Sequence, residues 1–298
     1  MSRKPVAFLV VGIIVAVALV IAISTGASLF LGKSPVAASG KVAVIKIDGI
    51  ILSSEDVIHQ LKKYSGNPSV KAIVLRINSP GGAVVPSQEI YEEINKVRAK
   101  TGKKIIVSMG TVAASGGYYI ASAADRILAN PGTLTGSIGV IMEFASVEQL
   151  LKKIGIKDQT IASGKRKDVG DFMRTMTPDE KEYLKNVLRD VHEQFVEAVA
   201  KGRKMKVEDV WALADGSVYT GRQAQKLGLV DGLGDLQDAI SVAGKMAGIK
   251  GRPAVITEEK KTSIWDLIKG QDASSLFQGL IGKNLQGMMY LYAAPEIR

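Results

Sequence analysis

Between Lys41 and Ile127 one pattern recurs, and it narrows the possible folds more than any other feature. The β-branched apolar runs "KVAVIKI" (41–47), "VKAIVLRIN" (70–78) and "KKIIVSMG" (103–110) are separated by segments whose apolar residues follow helical spacing. In "SSEDVIHQLKKY" (53–64) an acidic first turn precedes Val57, Ile58 and Leu61. In "SQEIYEEINKVRAK" (87–100), Ile90, Ile94 and Val97 share one face. Strands alternating with helices require right-handed crossovers, which build a mainly parallel sheet covered on both sides. Further along, "RILAN" (126–130) and "SIGVIM" (137–142) read as short strands. A helix near 146–154 and a strand "QTIAS" (159–163) follow.

From Thr177 a long helix begins with a capping threonine, a proline at N1 and acidic residues in its first turn. Leu184, Leu188, Val191, Phe195 and Val199 form its apolar stripe, with His192 beside it. Helices over 221–228 and 235–248 complete the pattern.

Ahead of this lies "PVAFLVVGIIVAVALVIAISTGASLFL", from Pro5 to Leu31, without a charged residue. At 1.5 Å per residue such a helix spans roughly 40 Å, more than the ~30 Å hydrocarbon core of a bilayer. It is longer than the apolar stretch of a cleaved secretory signal, so it reads as a retained anchor. Arg3 and Lys4 precede it, which favours a single-pass topology with the bulk of the chain extracytoplasmic. The expected organisation is an anchor over 1–33, a linker over 34–40, one α/β domain over 41–250 and a C-terminal extension over 251–298.

Composition removes several chemistries. The 298 residues contain no cysteine, which excludes disulfides, thiol catalysis and cysteine-based metal sites, and two histidines cannot build a His-rich metal site. No metal and no cofactor is expected. The net charge of +10 resides partly in "KVRAKTGKK" (96–104) and "KGRKMK" (201–206), which lack interleaved aromatics. They read as solvated faces, then as attraction to an anionic membrane surface; nucleic acid is not an expected partner.

Two segments can carry chemistry. "LRINSPGGAVVPSQEIY" (75–91) is a strand ending in a Gly-Gly turn before a helix, where backbone amides can approach a ligand closely. "AASGGYYIASAADRI" (113–127) sets Ser115 among small residues at the opening of a helix. A Walker motif is absent, because no Gly-Lys-Ser/Thr follows the glycines. The amides of Gly82 and Gly116 could together stabilise an oxyanion, and one such donor contributes roughly 2.7–4 kcal/mol to acyl transfer. A serine nucleophile also needs a base. His59 and His192 lie on helices away from the glycine turns, which turns attention to lysine. A lysine serves only when neutral, so it must be desolvated or pressed by like charge. "ASGKRKDVGDF" (162–172) presents Lys165, Arg166 and Lys167 side by side, just after the expected strand.

Taken together, "INSPGG", "AASGGYYIASAAD", "GTLTGSIGVI", "SGKRKD" and "DGSVYTGRQAQKLGLVDGLG" resemble the signal peptide peptidase A (SppA) family in its short, single-domain form, over roughly 41–245 and with an N-terminal anchor. The resemblance implies an α/β fold of the Clp-protease/crotonase type, built of repeated ββα/βαβ units and preceded by one transmembrane helix. It implies a serine–lysine dyad with Ser115 as nucleophile and Lys167 as base. Ser137 would orient the lysine, and Gly82 and Gly116 would form the oxyanion hole. It further implies a homo-oligomeric ring, an octamer among the forms it allows, with each site shared between protomers. The implied substrates are remnant signal peptides and other hydrophobic membrane-associated peptides. The tail "MMYLYAAPEIR" is expected to reach a neighbouring site and be trimmed there. Two alternatives stand beside this reading: a stomatin-associated membrane protease of the same fold, and a crotonase-like acyl-CoA enzyme.

Overall fold

A computed structural model describes residues 16–21, 40–258 and, for the backbone, 289–291. The chain divides into two units, Met1–Ser39 and Gly40–Arg298. In the first, residues 16–21 form a short, exposed helix, α1. Among the described residues no helix is long and apolar enough to cross a membrane. The rest of the expected anchor over 1–33 lies outside the described residues.

In the second unit the expected alternation is realised. Strand β1 (Lys41–Asp48) is followed by α2 (Glu55–Gly66), β2 (Val70–Ser79), the short β3 (Gly81–Ala83), α3 (Val84–Thr101), β4 (Lys104–Ala114), α4 (Gly116–Ser122) and β5 (Arg126–Ala129). Strands β1, β2, β4 and β5 pair in parallel, and β9 (Ala254–Thr257) extends the sheet in parallel beside β1. The central strands bury almost every side chain: Ile45, Ile73, Leu75, Ile77, Ile105 and Val107 are fully enclosed. Each such aliphatic contributes ~1.5–3 kcal/mol relative to exposure, and both faces must be covered for that.

Strand β4 then changes partner. Its first half, Ile106–Ser108, runs beside β5, whereas Val112–Ala114 runs beside β6 (Leu134–Gly136). The change follows a slip in the β2–β4 ladder, where Ile77 pairs with Met109 but Ser79 pairs with Ala113. Asn78 holds the slip: its Oδ1 accepts from the amides of Thr111 (3.0 Å) and Val112 (3.3 Å). A Cβ on Gly110 would lie 2.7 Å from that same oxygen, so the crossing needs glycine there. The bulge bends the strand and re-aims its end.

Two strand expectations fail. "SIGVIM" is not a strand; β6 precedes it, and the chain leaves β6 through positive φ at Gly136 (80°) and Ser137 (50°), incompatible with continued extension. "QTIAS" is exposed throughout and irregular, and among the described residues it has no partner strand; its apolar residues satisfied the strand pattern only locally. Lys167 therefore does not follow a strand. Beyond α5 (Glu148–Lys153), the long helix α6 (Pro178–Arg203) starts with the expected cap, completed as a capping box between Thr177 and Glu180. The chain closes with α7 (Val207–Trp211), β7 (Val218–Thr220), α8 (Gly221–Lys226), β8 (Gly232–Leu233) and α9 (Leu236–Met246), where β7 runs antiparallel to β6 and β8 parallel to β5.

Helix α4 is buried along its whole length. Tyr118 donates to the Leu229 carbonyl (2.8 Å), and Tyr119 packs between Tyr91 of α3 and Phe195 of α6, each ring centroid 5.0 Å away. Burial pushes the Tyr119 phenol up to about 12. Gly202, near the end of α6, abuts α4 so closely that a Cβ would lie 2.0 Å from the Ser122 carbonyl oxygen. Alanine would favour the helix by ~1 kcal/mol, but overpacking costs ~1–3 kcal/mol, and a contact this short places the cost at the upper end. Gly202→Ala is therefore expected to lower the thermal midpoint rather than raise it; a scanning calorimetry trace with a higher midpoint would refute the packing described.

Candidate active site

Ser115 stands at the junction of β4 and α4. Its N–H donates to the Gly136 carbonyl (2.8 Å) and its own carbonyl accepts from Tyr119 N (2.8 Å), so both sides of the residue are tied down. The backbone is held at φ 52°, ψ −117°, a conformation costly for any side-chain-bearing residue. Ser115 is 1% exposed, and its Oγ is buried without a hydrogen-bond partner. A buried, unpaired hydroxyl costs free energy, and so does the strained backbone. Both coincide at one residue at the end of a sheet. Strand pairing puts Ala114 opposite Gly136, so Ser115 and Ser137 follow one another across the β4–β6 edge, both with positive φ.

The Ser137 turn is built by "DGSVYTG". Ser137 N donates to the Ser217 carbonyl (2.8 Å), and Asp215 Oδ1 accepts from Ser217 N (2.9 Å). The threonines of "GTLTGS" face inward: Thr133 Oγ1 donates to the Gly110 carbonyl and Thr135 Oγ1 to the Ala113 carbonyl, each at 2.7 Å. These bonds hold β6 against the re-aimed half of β4.

The glycine turn "SPGG" occupies the neighbouring position. Ser79 Oγ accepts from Gly81 N (3.1 Å). Ile51 N donates to the Gly81 carbonyl (2.9 Å) and Ala83 N to the Ile51 carbonyl (2.8 Å). Since Gly81 and Ala83 face Ile51, the alternation of an extended strand turns the Gly82 N–H and carbonyl to the opposite edge. That edge holds the backbone of β10 (Met289–Leu291), antiparallel, with Tyr290 opposite Gly82. A Cβ on Gly82 would meet the Ile51 carbonyl oxygen at 2.1 Å, so no larger residue fits. Gly116 opens α4, immediately after Ser115.

Lys167 lies elsewhere. It sits in the exposed segment 161–167, and within one chain it makes no hydrogen bond to Ser115 Oγ. Its neighbours are engaged: Lys165 pairs with Asp179 (3.3 Å), and the Arg166 guanidinium lies over the Tyr183 ring, 4.4 Å from its centroid. Neither histidine bonds Ser115 Oγ. His59 lies on α2. His192 is nearer than its place on a helix implied, because its ring meets the backbone groups of Ile138 and Ala214 and packs edge-on against Trp211 (4.9 Å). Burial lowers its pKa, opposed by those backbone groups. Among the described residues no group of His, Asp or Glu is arranged to hold a metal ion.

Three features escaped sequence reasoning. Asn78 in "INSPGG" reads as a turn residue but pins the bulge. Asp125 in "AASAAD" accepts from Ile105 N (2.9 Å) and pairs with Arg98 (3.0 Å), locking the exit of α4 to β4 and α3. Arg174 bridges Asp168 and Glu180. The visible signals were only an asparagine after a strand, an acid at a helix end and an arginine near a capping box.

The parallel-rich α/β sheet fits the Clp-protease-like class of fold, and the Clp protease family profile matches residues 47–134. The profile described as Peptidase family S49 matches residues 97–250. The chain belongs to that family, as an SppA-like serine peptidase. A Synechocystis sp. protein named as a protease is 43% identical over 211 residues, covering 70% of this chain and 75% of the relative. Protease 4 of Salmonella typhi is 37% identical over 227 residues, covering 73% of this chain and 36% of its own length. A protein of Enterococcus faecium named as a signal peptide peptidase SppA is 36% identical over 217 residues, covering 68% of this chain and 63% of its own. The chain thus spans about a third of Protease 4 and under two thirds of the E. faecium relative.

The strain at Ser115 predicts a separation between stability and activity. Ser115→Gly relieves the positive φ and Ser115→Ala retains it, so the glycine variant is expected to be the more stable of the two by about 1 kcal/mol in urea titration; equal midpoints would show that the backbone is unstrained. A second expectation concerns pH. The Arg174 guanidinium, then the Thr177 amide, hold the Glu180 carboxyl down at about 2. With an unfolded value of about 4.3, this contribution is complete above that pH and is lost as pH falls toward 2. The thermal-midpoint advantage of wild type over Glu180→Gln should therefore be constant near neutrality and shrink between about pH 4 and pH 2.

Proposed function

We propose that this chain is a membrane-anchored endopeptidase that cleaves signal-peptide remnants and other hydrophobic peptides at a site made by Ser115 of one protomer and Lys167 of a neighbour. The observation that carries the reading is the pairing of β10 on β3. An extended segment lies antiparallel on the edge to which Gly82 presents its N–H, in the manner of a peptide substrate adding a strand. The unpaired hydroxyl and strained backbone of Ser115 support the nucleophile role.

The chemistry would run as acyl transfer. The neutral Lys167 amine takes the Ser115 proton as Oγ bonds to the scissile carbonyl carbon. The Gly82 and Gly116 amides hold the resulting oxyanion, and Ser137 orients the lysine. The lysine then passes the proton to the leaving nitrogen as the C–N bond breaks. Water, deprotonated by the same amine, attacks the ester and releases the carboxylic product, restoring Ser115.

Sharing between protomers is supported by the segment that carries Lys167. Phe144, Leu150, Ile154, Ile156 and Phe172 are exposed along it, and Ile161 is fully so. Apolar surface of this extent marks an interaction face. A second copy packed over it would also exclude the water that keeps a lysine protonated. A membrane anchor is supported by the charge-free run from Pro5 to Leu31. Signal-peptide substrates are supported by the name of the E. faecium relative.

The test mixes two inactive proteins. Purified full-length Ser115→Ala and Lys167→Ala chains are each expected to lose cleavage of an excised signal peptide, and activity is expected to return when they are co-assembled. No return after verified co-assembly would refute a shared site, and an active Lys167→Ala protein would refute the dyad itself.

A further inference from the structure

Among the described residues no strand holds the segment bearing Lys167, yet its neighbours converge on one place, the capped start of α6. Arg174 makes the central contact. Its Nε donates to Asp168 Oδ2 (3.1 Å), and Nη2 donates to the Asp168 carbonyl (3.1 Å). On its other side Nη1 donates to Glu180 Oε2 (2.9 Å) and Nη2 to Glu180 Oε1. Glu180 is itself buried and accepts from Thr177 N (2.8 Å) as the N3 member of the capping box. One guanidinium therefore joins the residue that follows Lys167, through both side chain and backbone, to a helix end closed by a capping box.

The flanking contacts act in the same sense. Lys165 is drawn to Asp179 and Arg166 to Tyr183, both on α6. Gly170 closes the turn at φ 86°, against Phe144. Of the consecutive cations 165–167, two are engaged with α6, and among the described residues the Lys167 amine has no ion pair or hydrogen-bond partner. A planar fork with several donors suits this role, whereas a lysine at 174 would supply a single point of attachment.

We propose that Arg174 is a positioning residue for the reaction, fixing the backbone beside Lys167 on the capped end of α6 so that the amine meets the serine in reactive geometry. This rests on Lys167 being the base. Misplacement of a reacting group by about 1 Å can cost on the order of 10²-fold in rate. A group that acts only in the transition state lowers kcat and kcat/KM together.

The experiment compares full-length Arg174→Ala, Arg174→Lys, Asp168→Ala and Thr177→Ala on one signal-peptide substrate, with thermal midpoints for each and Lys167→Ala as reference. Arg174→Ala is expected to lose about 10²-fold in kcat with KM changed by less than about 3-fold, and to regain part of that rate in millimolar guanidinium. Arg174→Lys should recover only part of it. Asp168→Ala leaves the Arg174–Glu180 contact on α6 and should lose less, because the backbone bond to residue 168 survives. Thr177→Ala weakens the helix cap and should lower the midpoint while keeping kcat. Wild-type kcat in Arg174→Ala would overturn the proposal, as would a loss without guanidinium rescue that Thr177→Ala reproduces at equal midpoint. If Lys167→Ala itself turns over substrate, the assignment of the base fails, whatever Arg174 does; if it is inactive while Arg174→Ala is normal, only the positioning role fails.

Discussion

The carboxamide of Asn78 is the interaction on which the rest of the arrangement depends. By accepting two amides of β4 at once, those of Thr111 and Val112, it stabilises the slip in the ladder. Once the slip is held, the last residues of β4 pair with β6 instead of continuing beside β5. Ser115 and Ser137 then become neighbours at an edge.

Around that bend, small residues serve two ends. Gly82, Gly110 and Gly202 each stand where a Cβ would strike a backbone or amide oxygen within 3 Å, so close backbone approach explains all three. It lets the β3 edge lie beside Ile51, β4 cross Asn78, and α6 press on α4. The buried α4 then has no room to relax, and the strain at Ser115 persists because Gly136, Tyr119 and the tyrosine–phenylalanine packing over-determine its surroundings.

The two halves of the proposed dyad sit in contrasting settings. Ser115 is enclosed by sheet and helix, whereas Lys167 is on an exposed segment held by polar contacts to one helix end. This contrast fits chemistry completed by a second chain: the enclosed part is organised by a single protomer, and the exposed part can adjust on assembly before water is excluded.

Read along the chain, the residues between Lys41 and Ile127 determined the alternating strands and helices and the small-residue setting of Ser115, and those from Thr177 the start of α6, because these depend on local periodicity, capping and side-chain volume. The short strands β3, β7 and β8 were not legible, since two or three residues carry no period and form only where a partner edge waits. "QTIAS" misled for the converse reason: its pattern suits a strand, but no edge among the described residues is offered to it. Tertiary structure alone decided the slip at Asn78, the closeness of Ser115 to Ser137, the direction of the Gly82 amide and the junction of Arg174 with Asp168 and Glu180. Each of these joins residues through backbone geometry or charge across folded space, where sequence spacing holds no information about distance.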